Sequence, residues 1–172
     1  MGGTVRLLNR ASAALCVAVA LIPVVWALDV PQTAGLLLFP EQVAGLILGL
    51  AGASVFLSTA GQGPGWRRGT DLALAAASLW VGLHLFWRFP VLSEGAFFHP
   101  AESLALGIGV SVVALECLRR VSGWSLILIL GALVLYAAFS DLAPGRLEGR
   151  PIPFPDILRF VGTDSTATLG AP

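Results

Sequence analysis

Glu116, Arg119 and Arg120 stand at i, i+3 and i+4, a spacing that lets one carboxylate pair with two guanidiniums along a single helix face. A local ion pair of this kind lowers the cost of a carboxylate close to lipid; alternatively the set anchors the chain to a partner subunit or to lipid headgroups. Neither role is that of a substrate site. His84 and Arg88 form a second polar pair, four residues apart on one face. There, Arg88 snorkels to the surface while His84 hydrogen-bonds within a bundle, or the pair meets an acidic residue of a partner. The other chemistry-bearing residues are scattered. Cys16 and Cys117 lie in apolar runs, where a cysteine acts as a small hydrophobe, and His99 has no second ligand at helical spacing. The sequence holds no CxxC, HExxH, phosphate-loop, GxSxG or paired-carboxylate arrangement, so neither catalysis nor a resident metal or cofactor is expected.

The elements that must carry these residues are set by composition. Of 172 residues 56% are hydrophobic and 12% charged, and the mean hydropathy is +0.86. An ordinary soluble domain is about 25% charged. Ten acids balance ten bases, so no basic field points to nucleic acid. The expected fold is an all-α integral membrane bundle of about five transmembrane helices over residues 11–28, 42–60, 71–89, 103–120 and 123–140, the last two forming a tight hairpin. Residues 141–172 follow as a tail with a short amphipathic patch, Ile157 to Val161.

The first run has the grammar of a signal peptide, with Arg6 and Arg10 ahead of it and Val25 and Ala27 at cleavage spacing. Its ~18 apolar residues exceed the signal-peptide core of about 7 to 15, which favours a retained helix, kinked at Pro23. The second run carries Gly45, Gly49 and Ala53 every fourth residue, a stripe for close helix packing within the bundle or against a partner subunit. Residues 61–70, GQGPGWRRGT, read as a loop at a membrane surface, with Thr70 or Asp71 capping the third helix. Arg residues alternate between the connections as the positive-inside rule requires for a cytoplasmic N-terminus, and five crossings place the C-terminus outside.

Between the fourth and fifth runs lies the corner Arg119-Arg120-Val121-Ser122-Gly123-Trp124. One continuous helix would bury both Arg mid-membrane at about 2.5 to 3.5 kcal/mol each. A hairpin avoids this, with Gly123 at the turn and Trp124 at headgroup level. The stretch LECLRRVSGWSLILILGALVLYAAFSDLAPG resembles the small (Q-type) membrane subunit region of TAXI-type TRAP transporters, the tripartite, ATP-independent carriers that depend on a periplasmic binding protein. The residues that carry the resemblance are Leu115, Glu116, Arg119, Arg120, Gly123, Trp124, Tyr136, Phe139, Leu142, Pro144 and Gly145; Cys117 and Leu118 stand where the pattern has small or polar residues.

What the resemblance implies is a scaffold or anchor in a bacterial inner membrane, with a large elevator-type permease and a periplasmic substrate-binding protein as partners. The family's uptake of small organic acids is sodium-coupled, and the sodium and substrate sites belong to the large subunit. The tail is then expected to include a short helix lying against the periplasmic face of that partner. A fragment of a fused permease is one alternative. A self-contained membrane protein, channel or enzyme, is the other.

Overall fold

The structure is a computed structural model that describes residues 2–60, 65–95, 100–140 and 152–163. Among these residues it is all-helical, with no strand: α1 Gly2–Ala27, α2 Val30–Thr33, α3 Pro40–Ala60, α4 Gly65–Gly95, α5 Pro100–Ser122, α6 Trp124–Ala138 and α7 Phe154–Thr163. Four of the helices, α1, α3, α4 and α5, are long and apolar enough to cross a membrane. The chain therefore reads as a multi-pass membrane protein.

The core is an antiparallel three-helix unit, α3 to α5, and its tightest seam is α3 on α4. A Cβ added at Gly49 would lie 2.8 Å from the Gly82 Cα, and one added at Gly82 would lie 2.7 Å from the Gly49 Cα. Backbone meets backbone there, and no side chain can move aside to make room. Gly45 packs on Leu85, while Ser78 donates to the Gly49 carbonyl at 2.9 Å. Small residues let the helices approach, and the hydroxyl fastens them where lipid tails give no hydrophobic drive. The α5 helix closes the unit through Leu106 and Val110 against Val81, Leu85 and Leu92, and through Val113 against Ala53, Phe56 and Ala75.

Helix α1 runs antiparallel along α3. Ser12 donates to the Ser54 carbonyl at 2.9 Å near one end, and Leu21 and Val25 share a groove with Val43 and Leu46 near the other. Most of α1 remains uncovered.

The boundaries differ most from those expected at α1, which begins at Gly2 and not at residue 11, and at both ends of α4. The third helix begins at Gly65, not Asp71, so residues 65–70 are helical. Arg68 Nε donates to the Ala60 carbonyl at 3.2 Å, holding the end of α3, and Thr70 bonds back to the Arg67 carbonyl at 2.8 Å. Neither Thr70 nor Asp71 is a cap: Asp71 sits inside α4 and turns inward. At its other end α4 continues through Pro90 to Gly95. Proline lacks the N–H that would bond the carbonyl four residues back, which is Phe86. Buried Gln42 supplies that bond, its Nε2 donating to the Phe86 carbonyl while its Oε1 accepts the Phe39 N–H at 2.9 Å. A side chain from α3 thus satisfies the group that Pro90 frees.

At the corner, Gly123 has φ 76°, a value that L side chains rarely adopt, and its N–H closes α5 on the Arg119 carbonyl at 3.1 Å. The α6 helix leaves from there and buries none of its residues. Its neighbour is α5, yet α5 meets the short α7 more extensively, and α7 also touches α4. The expected hairpin of the last two apolar runs is therefore not established by these contacts. The amphipathic patch Ile157 to Val161 lies within α7, whose approach is tied down by the Ile152 N–H on the Ala137 carbonyl at 3.3 Å. Leu142, Pro144, Gly145 and His99 lie outside the described residues.

Candidate functional site

Antiparallel register collects the charged side chains at the two ends of the α3–α5 unit. Seventeen residues separate Asp71 from Arg88 on α4, about 25 Å at 1.5 Å per residue, against a hydrocarbon core of ~30 Å. The two ends therefore sit at opposite faces of a bilayer.

At the first end Arg120 is the hub. Its Nη2 lies 2.7 Å from Asp71 Oδ1, its Nη1 donates to Thr59 Oγ1 at 2.6 Å, and its Nε donates to Glu116 Oε1 at 2.9 Å. The guanidinium carbon stands 4.9 Å from the centroid of the Phe56 ring. One side chain of α5 thereby joins α3 and α4. The site is largely closed, the Arg120 and Asp71 side chains being 14% and 8% exposed. Arg119 takes the other side of Glu116 in a fork, Nε to Oε2 at 2.7 Å and Nη2 to Oε1 at 2.6 Å, and stays exposed. Trp124 is exposed just beyond Gly123.

The same end carries Arg67 and Arg68 at the start of α4, and Arg6 and Arg10 in the first turns of α1. Six Arg therefore gather there with two carboxylates, Asp71 and Glu116. At the opposite end a carboxylate is the hub. Glu102 accepts from Arg88 Nε and Nη2, both at 2.9 Å, and lies 3.1 Å from His84 Nε2. Trp80 stacks on the His84 ring, centroid to centroid 5.0 Å. This set is more open than the Arg120 cluster, with about a quarter to two-fifths of each side chain exposed.

Of the residues expected to face a partner or lipid, most are engaged inside the chain. Gly45, Gly49 and Ala53 are covered, the glycines by α4, so the stripe is an internal seam and not an open docking face. His84 and Arg88 meet the chain's own Glu102 in place of a partner's acid. Arg120 is largely enclosed by the bundle, engaged with α3 and α4. Arg119, Gly123 and Trp124 remain at the surface.

Asp71 and Glu102 were not singled out by sequence as partners of these bases. Each is a carboxylate within or beside an apolar run, where it needs an opposite charge at its own depth. Antiparallel pairing of the apolar runs 71–89 and 103–120 puts Asp71 level with Arg120 and Glu102 level with Arg88.

Among the described residues no group of three or more His, Cys, Asp or Glu is placed to hold a metal ion. No family model, curated protein or solved structure matches the chain.

Proposed function

We propose that this chain is a scaffold subunit of a membrane transporter, in the manner of the small subunit of TAXI-type TRAP carriers. The observation that carries the reading is the contrast between α6 and the unit it leaves. A predominantly apolar helix with no buried residue issues from a corner fastened to α3 and α4 through Arg120. Such a helix is free to pack on another membrane protein, and Gly131, where an added Cβ would meet nothing within 4 Å among the described residues, leaves room for close approach.

On this reading α6 is the fifth crossing and the partner is a large elevator-type permease, which supplies the sodium and substrate sites for uptake of small organic acids. Elevator motion needs an immobile reference in the bilayer. A trio locked by a glycine seam and a buried ion pair is suited to that role. The six Arg at one end favour that end facing the cytoplasm of a bacterial inner membrane. The C-terminal segment then faces the periplasm, where the substrate-binding protein docks.

The test is recovery of the tagged chain from native membranes in mild detergent, with mass spectrometry of what accompanies it. A stoichiometric multi-helix permease is expected, and its yield should fall when Leu128, Leu133 and Trp124 on α6 are replaced by Ala together. Arg120 is unsuitable for this test because its loss disturbs the bundle itself. Purification as a stable oligomer of this chain alone would overturn the reading in favour of a self-contained membrane protein.

A further inference from the structure

A cleft of about 560 Å³ opens at the Arg-rich end, between the start of α4 and the end of α5. Trp66, Arg67, Thr70, Glu116 and Arg119 frame it, and Asp71 and Arg120 line it. The two carboxylates are already held by Arg119 and Arg120, as described above. Three Arg against two acids leave the lining with one positive charge. That charge resides at Arg67: among the described residues its guanidinium meets no carboxylate and lies 5.3 Å from the Trp66 ring centroid.

We propose that this cleft binds the phosphate headgroup of an anionic phospholipid, with Arg67 and Arg119 as its cationic contacts. Exposed Trp66 and Trp124 place the cleft at headgroup level, since indole rings settle at the membrane–water interface. One to two turns deeper, the same two helices expose Leu72, Val112 and Leu115, an apolar surface suited to acyl chains. Basic pockets between membrane helices near the bilayer surface are suited to acidic headgroups. A zwitterionic lipid would bring its own cation to a cleft already carrying Arg67 over Trp66.

The experiment uses the full chain in detergent micelles, titrated with phosphatidylglycerol or phosphatidylcholine and read by native mass spectrometry as bound lipid. Phosphatidylglycerol should bind in preference, and Arg67→Gln should weaken it about fivefold, the loss expected for one basic residue at an anionic surface. Arg119→Gln should weaken it similarly, whereas Arg6→Gln, on α1 and away from the cleft, should leave it unchanged. Equal binding of the two lipids, or an undiminished preference in Arg67→Gln, would overturn the proposal. An equal loss in Arg6→Gln would replace the cleft with a diffuse basic face. Competition by millimolar inorganic phosphate that abolishes the Arg67-dependent binding would make the ligand a free anion and overturn the lipid assignment.

Discussion

The α3–α5 trio and α6 are built from similar apolar residues and meet opposite fates. In the trio, small residues and paired charges are placed where they face one another: Gly49 on Gly82, Arg120 on Asp71, Arg88 on Glu102. The α6 helix offers Leu, Ile and Val around its circumference, buries none of its residues, and among the described residues nothing lies within 4 Å of a Cβ added at Gly131, its one internal glycine. In lipid, apolar character alone gives no reason to associate, because acyl chains are as apolar as leucine. Association needs close backbone approach, interhelical hydrogen bonds or neutralised charge. The trio has all three.

The comparison breaks most severely at the glycine seam. Gly49→Leu or Gly82→Leu places a branched side chain where backbone atoms already touch, so α3 and α4 must separate. Overpacking in a core costs about 1 to 3 kcal/mol where neighbours can shift, and more is expected here because the obstacle is main chain. We expect loss of the folded monomer in detergent, seen as a collapsed thermal transition. An unchanged midpoint would mean that the seam is looser than described.

Next in size is the buried ion pair. Asp71→Leu leaves Arg120 with Glu116 and Thr59 but without its α4 partner, and removing one member of a buried pair costs about 3 to 5 kcal/mol. The double variant Asp71→Leu with Arg120→Met should recover much of that loss, because no charge is left stranded. A double-mutant cycle on thermal unfolding checks this; additive losses would show that the two groups do not interact.

How much of this was legible in the sequence follows from which interactions are local. The apolar runs placed α1, α3, α4 and α5, and the left-handed turn at Gly123 follows from residue type. The early start and late end of α4 were not legible, since Gly65, Gly69 and Pro90 are stop signals by local rules. What overrides them comes from α3: Gln42 reaching the Phe86 carbonyl, and the Ala60 carbonyl accepting from Arg68. The pairings of Asp71 and Glu102 were hidden for the same reason, since they depend on the register of antiparallel helices. The small-residue stripe was visible, but whether it faced inward or toward a partner required α4 beside it.

Gln42 gives a prediction of intermediate size. Gln42→Leu keeps the volume and removes the donor, leaving the Phe86 carbonyl orphaned beside Pro90 at about 1 to 3 kcal/mol. Replacing Pro90 by Ala in the same chain restores the helical N–H and should rescue most of that loss. Failure of the rescue in thermal unfolding would separate Gln42 from the proline.

The smallest effect sharpens the contrast because the chemistry is held constant. Leu85 is fully buried between α3 and α5, whereas Leu128 and Leu133 on α6 stand more than half exposed. Leu85→Ala removes atoms from a packed site and opens a cavity, a change costing about 2 to 5 kcal/mol in protein cores. Leu128→Ala and Leu133→Ala remove atoms that face lipid, and each should stay within about 0.5 kcal/mol, as for surface positions. The same substitutions should nonetheless reduce recovery of a membrane partner, since packing on that partner is the role proposed for α6. If Leu128→Ala destabilised the isolated chain as much as Leu85→Ala, α6 would be packed against the trio, and the case for an external partner would fail with it.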